Sequence, residues 1–270
     1  MEKGVSQPLF HKPSLPRQSS AKGLGNTLLH TPKPMSENPK SKSFGWPFWL
    51  VLTLIVFLLA GLTAPMTIRC RKKSEQTEAT SNLRQIGLAL FEFETEYGSF
   101  PSEATVAKVT AEYPDHGLDL SGKSSNALFR QLIAANITQS EQMFYADING
   151  TKKPNGNFSP GNALESREVG YGYVAGLSTV GNPARAVAFC PIIPGTDRFD
   201  PKPFDGKAVI LRIDNSVVSL NIDKDGHAVS GGHTLFSPEN PIWGGVVPDI
   251  RYPEGLSASE PSFFQKLFSK

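Results

Sequence analysis

The chain has 270 residues, 19 % of them charged, and a formal net charge of +2 at pH 7. So small an excess gives no basis for a nucleic-acid surface, and the length suits one globular domain with extensions. Two cysteines, Cys70 and Cys190, are too few for a disulfide framework and read as unpaired small hydrophobes, while 22 prolines and 24 glycines suit a loop-rich domain.

Residues 1–45 are rich in Pro, Ser and Lys, with Pro8, Pro13, Pro16, Pro32, Pro34 and Pro39 breaking any periodicity. Such a segment buries too little apolar surface to offset its ordering entropy, so it reads as a disordered tail. From Phe48 to Ile68 the chain carries no charge. About 21 apolar residues at ~1.5 Å each cover the ~30 Å core of a bilayer, which predicts a transmembrane helix over 46–68. The tail before it is too long for an ordinary cleaved signal, so the pattern predicts an uncleaved signal anchor. Trp46 and Trp49 would then be interfacial anchors, and Pro65 would bend the helix near its far end. Basic residues flank both ends, with Arg69, Arg71, Lys72 and Lys73 forming a collar on the second. The positive-inside count therefore does not orient the span. The collar suits anionic headgroups, or a flank that snorkels to the interface.

Over 69–98 the character changes. Leu83, Ile86, Leu90, Phe93 and Tyr97 recur at helical spacing, and Gly98 followed by Phe100-Pro101 is a stop signal. This predicts an amphipathic continuation helix whose apolar stripe needs a partner surface. The remainder, 99–262, supplies candidates. Thr105 to Pro114 suggests a short helix, and Ser124-Ser125 cap a second one bearing Leu128, Leu132 and Ala135. Gln142 to Ala146 reads as a short strand and Asp147 to Pro160 as a polar loop. Val169 to Leu177 and Ala186 to Cys190 read as strands. Lys207 to Ile222 is a hairpin pattern. With Asp214-Asn215 as a two-residue turn, Val209 faces Leu220 and Leu211 faces Val218, and Arg212 shares the opposite face with Ile210, Val217, Ser219 and Asn221. Pro238 to Pro261 would wrap the surface, and 263–270, with Phe263, Phe264, Leu267 and Phe268, is a short amphipathic tail.

The chemistry-bearing patterns are few. Asp223, Asp225, His227 and His233 form D-K-D-G-H-x5-H, which fits neither a zinc helix motif nor an EF-hand loop; its oxygens would favour calcium over zinc. There is no G-x-S-x-G elbow, no P-loop and no dinucleotide fingerprint. The reading is therefore a non-enzyme, with no catalytic residue, cofactor or committed metal ligand.

Taken together, the apolar helix running into SNLRQIGLALFEFETEYGSFP, Ser81 to Pro101, resembles type IV pilin-like proteins and type II secretion pseudopilins. Ser125 to Tyr145, Tyr171 to Leu177 and the late hairpin are similar to the same bacterial subgroup, so the likeness covers most of 81–222. The resemblance implies an α+β fold, with a long N-terminal helix packed on a small antiparallel sheet by Leu83, Ile86, Leu90 and Phe93. It also implies a single-pass inner-membrane protein with a periplasmic C-terminal domain. Its expected partners are membrane lipid and either its own copies or pilus- and secretion-type subunits. One departure stands out: Ser43 and Phe44 occupy the expected processing junction, and no Glu lies between Phe44 and Ile68. That favours a pilin-like domain on an uncleaved anchor over a processed pilin. The alternative is a membrane-tethered module that binds a small ligand or calcium near Asp223 and Asp225.

Overall fold

The computed structural model describes residues 45–156, 158 and 161–257, with the backbone alone at 60–68. The expected tail over 1–45, save Gly45, and the expected C-terminal end over 263–270 lie outside the described residues. The chain divides into two compact units, Met1–Val51 and Leu52–Lys270. In the first, Phe48 N donates to Gly45 O at 2.9 Å and Phe48 stacks edge-on against Trp49.

One helix, α1 (Trp46–Tyr97), carries both the apolar run and the striped segment, and it continues unbroken past Pro65. The expected transmembrane span is nevertheless overturned: among the described residues no helix is long and apolar enough to cross a membrane. The membrane and signal-anchor assignments built on that span fall with it.

The striped half of α1 behaves as its spacing predicts. Leu83, Ile86 and Phe93 are fully buried and Leu90 is 1 % exposed. They join a core with α3 (Ser125–Ala134), through Leu128, Phe129 and Leu132, and with one face of an antiparallel sheet. The sheet comprises β1 (Gly172–Val174), β2 (Ala186–Cys190), β3 (Lys207–Arg212), β4 (Val217–Asn221) and β7 (Ile250–Arg251), in the order β4-β3-β2-β1-β7. A second core on the opposite face joins Phe189, Ile210, Phe199, Phe236 and Trp243 beneath the hairpin β5 (Val229–Ser230) and β6 (His233–Thr234). All five β2 residues are buried, because that strand lies inside the sheet with a core on either side. The short helix α2 (Val106–Glu112) falls within the predicted Thr105–Pro114 segment. Cys190 is buried and Cys70 exposed, both free.

Two expectations fail for identifiable reasons. Gln142 to Ala146 is not a strand; Gln142–Phe144 is a 3-10 turn. The Asn82 amide on α1 donates to the carbonyls of Gln142 (3.2 Å) and Tyr145 (2.9 Å), and the Tyr171 hydroxyl donates to Tyr145 O as well, so side chains take acceptors that a strand partner would use. The β3–β4 hairpin forms, but its register is displaced by one residue. Leu220 pairs with Ala208, Ser219 with Val209, Val218 with Ile210 and Val217 with Leu211. The loop has three residues, not two. Asn215 N donates to Arg212 O, Arg212 N donates to Ser216 O, and Asn215 adopts φ 61°, the pattern of a type I turn closed by a left-handed residue. A one-residue shift exchanges the faces of the second strand, so Val217 joins Leu211 in the core under α1 while Val218 and Leu220 pack on the opposite side.

That turn also explains a glycine in α1. A Cβ on Gly87 would overlap the Asn215 side-chain oxygen and stand 3.0 Å from Leu211 Cδ1. Helix and turn therefore meet backbone to side chain, with no room between them.

Two stability outcomes follow. Leu83→Ala or Ile86→Ala should cost about 2–5 kcal/mol in urea unfolding, the range for emptying a sealed core site. Gly87→Ala should cost about 1–3 kcal/mol by overpacking. Adding Asn215→Gly, which tolerates the positive φ and removes the obstructing oxygen, should recover most of that loss.

Candidate functional site

The same helix presents two unlike surfaces. Beyond the buried stripe, Leu54, Ile55, Val56, Phe57 and Leu58 are each between 47 % and 73 % exposed. Because these five positions are consecutive, they cover every side of the helix. A soluble surface helix normally turns a polar face outward, and this stretch has none.

Between the two halves lies the basic collar. Arg71 is held by Glu75 one turn on, Nε to Oε1 at 2.6 Å, and reaches Asp147 Oδ2 at 3.5 Å on the loop after the 3-10 turn. The hydrogen bond it donates to Glu75, then the charges of Glu75 and Asp147, push the guanidinium's pKa further up. Arg71 and Lys72 line a cleft of about 520 Å³ with Glu75, Asp147, Asn149, Asp200 and Lys202. Three cations face three carboxylates there, so the cleft offers no uniform field to a charged ligand.

The Asp223–His227 loop is closed on itself. One oxygen of Asp223 accepts from Asp225 N at 2.9 Å and from His227 N at 2.8 Å, and these two donors, with the charge of His227, hold its carboxyl below the ordinary range. The His227 ring lies 3.5 Å from Asp197 Oδ2 and 3.8 Å from Asp223 Oδ1. His233 lies on β6, paired with Ser230. Among the described residues no group of three His, Cys, Asp or Glu could hold a metal ion. The carboxylate spacing that suggested calcium serves the turn instead.

A cluster that the sequence reading passed over lies beside α3. Glu141 is 2 % exposed and accepts from Leu164 N at 2.7 Å and Gly156 N at 2.8 Å, so one carboxyl pins two points of the loop that follows. Glu168 is fully buried, accepts from Glu165 N at 2.8 Å and sits 3.5 Å from Lys152, which also holds Glu165 at 2.6 Å. Asn126 and Arg130 of α3 bind the carbonyls of Leu164 and Glu165, and of Ala163 and Leu164, respectively. The only sequence signal for this cluster is E-x-x-E at 165–168, too common to separate from a solvated loop. Chemically it is a clasp: its polar groups face the backbone of their own loop.

Comparison with protein-family models, with curated proteins and with solved structures found no match for this chain.

The clasp has a pH signature. Burial raises the Glu141 carboxyl, and the charges of Glu168 and Glu165 add to the rise, against the lowering by its two backbone donors. A carboxyl raised in the folded state binds its proton more tightly there than in the unfolded chain. Its protonation therefore favours folding at low pH, and that contribution fades as pH climbs from the ordinary carboxylate range through the raised folded value. Glu141→Gln, which cannot titrate, should flatten this slope; urea midpoints measured across that range for both chains provide the check.

Proposed function

We propose that the chain is a non-catalytic structural subunit that assembles with copies of itself or with pilus- or secretion-type components. The apolar first half of α1 provides the joining element. The α+β domain provides the outer surface and works outside the cytoplasm. The observation that carries the reading is the contrast along one helix: Leu83, Ile86, Leu90 and Phe93 at 0–1 % exposure, against Leu54 and Phe57 at 68 % and 73 %. The domain covers the first group with its own sheet and leaves the second open to solvent. Contiguous apolar surface of this kind on a protein marks an interaction site. The likeness of Ser81–Pro101 to the pilin-like segment points the same way, because that segment is the one seated on an antiparallel sheet.

Assembly of this kind is measurable on the purified chain. Sedimentation should find oligomers, and Leu54→Glu with Phe57→Glu should shift them toward monomer while circular dichroism of the domain stays unchanged. Cysteines placed singly at Leu50, Leu54, Phe57 and Leu58 should crosslink between copies. A wild-type chain that stays monomeric, together with single-cysteine variants that do not crosslink at any of these positions, alone and with co-expressed pilus-type subunits, would overturn the reading.

A further inference from the structure

Two Asn-Gly pairs stand on the loop after the 3-10 turn, Asn149-Gly150 and Asn155-Gly156. Asparagine amides are the thermally labile ones, and lability is greatest before glycine, which has no Cβ to obstruct approach of its backbone nitrogen to the preceding side chain. The attack requires that nitrogen to give up its proton and turn toward the side-chain amide carbon. A hydrogen bond that holds the N–H elsewhere opposes both.

The two pairs differ on this point. Gly156 N donates to Glu141 Oε2 at 2.8 Å, and Glu141 is anchored at its other oxygen by Leu164 N. Gly150 N donates to no group among the described residues. The turn around it is closed by its neighbours: Thr151 N donates to Ile148 O at 3.2 Å, and the Thr151 hydroxyl reaches the carbonyls of Ala146 and Ile148. Gly150 itself adopts φ 92°, and both Asn149 and Gly150 are exposed to water. A third site with a small following residue, Asn215-Ser216, is half-buried, and its backbone nitrogen is held as that of Gly156 is, because Ser216 N donates to Asp214 Oδ1 at 2.9 Å.

We infer that Asn149 is a self-modification site, converted by its own backbone to a carboxylate. Gly150 N attacks Asn149 Cγ; the new C–N bond forms as the side-chain nitrogen leaves, carrying the displaced proton away as ammonia. Water then opens the five-membered imide at one of its two carbonyls, giving aspartate or the β-linked isoaspartate. Water is the only co-reactant, and no electron is gained or lost. The product places a new negative charge in the cleft that Asn149 shares with Arg71, Lys72 and Lys202. There it competes with Asp147 for Arg71, the contact that joins the collar of α1 to this loop.

The folded chain and the same chain unfolded in urea, incubated together in mildly alkaline buffer and mapped by peptide mass, decide the matter. In the folded chain residue 149 should gain about one dalton and elute as two isomeric peptides, the mark of imide opening. Residue 155 should keep its amide there and lose it only in the unfolded chain. Residue 149 keeping its amide in the folded chain while converting in urea would overturn the inference. So would residue 155 converting as fast as residue 149 when folded. The comparison needs no variant, so a folding defect cannot obscure it.

Discussion

The rest of the domain depends on the close seat of α1 against the β3–β4 turn and the sheet behind it. Gly87 admits the Asn215 side chain, and the buried stripe Leu83, Ile86, Leu90 and Phe93 closes over β2 and β3 on either side of that contact. Polar groups secure the same seat from its edges. Gln76 donates to Ser219 on β4 at 2.8 Å, and Asn82 holds the 3-10 turn. The Tyr173 hydroxyl donates to Pro101 O just beyond the helix end. Helix, turn and sheet thus fix one another in register, and a side chain of any size at position 87 would disturb all three.

Seating one stretch of α1 in this way leaves Leu54 to Leu58 uncovered, and the functional reading rests on that division. The domain has no second sheet face to offer: the opposite face of β1 to β4 is already filled by Phe189, Phe199, Phe236 and Trp243 beneath the β5–β6 hairpin. At the collar, Glu75 and Asp147 engage Arg71 and tie the helix to the loop after the 3-10 turn. Assembly through the open half would bury apolar surface that the chain cannot bury alone.

How much was legible in advance varied with the range of the interactions. The stripe of α1, α3 with its Ser124 cap, β2 and the existence of the β3–β4 hairpin all follow from local periodicity and capping. The hairpin register does not, because Asp214-Asn215 reads equally well as a two-residue turn or as part of a three-residue one. Only the αL conformation of Asn215, set against Gly87, decides between them. Gln142 to Ala146 has strand composition, yet Asn82 and Tyr171, far away in sequence, take its carbonyls. The Glu141 clasp was illegible because its acceptors are backbone amides, which every sequence contains.

The sequence alone determined which helix face is buried, where that helix stops, and that Lys207 to Ile222 folds as a hairpin, because spacing and turn residues act over a few positions. Tertiary structure alone decided the faces of β4, the self-closure of the Asp223 loop and the burial of Glu141 and Glu168. Each of these depends on which distant groups meet, and a hydrogen-bonding or apolar side chain does not specify its partner until the chain has folded around it.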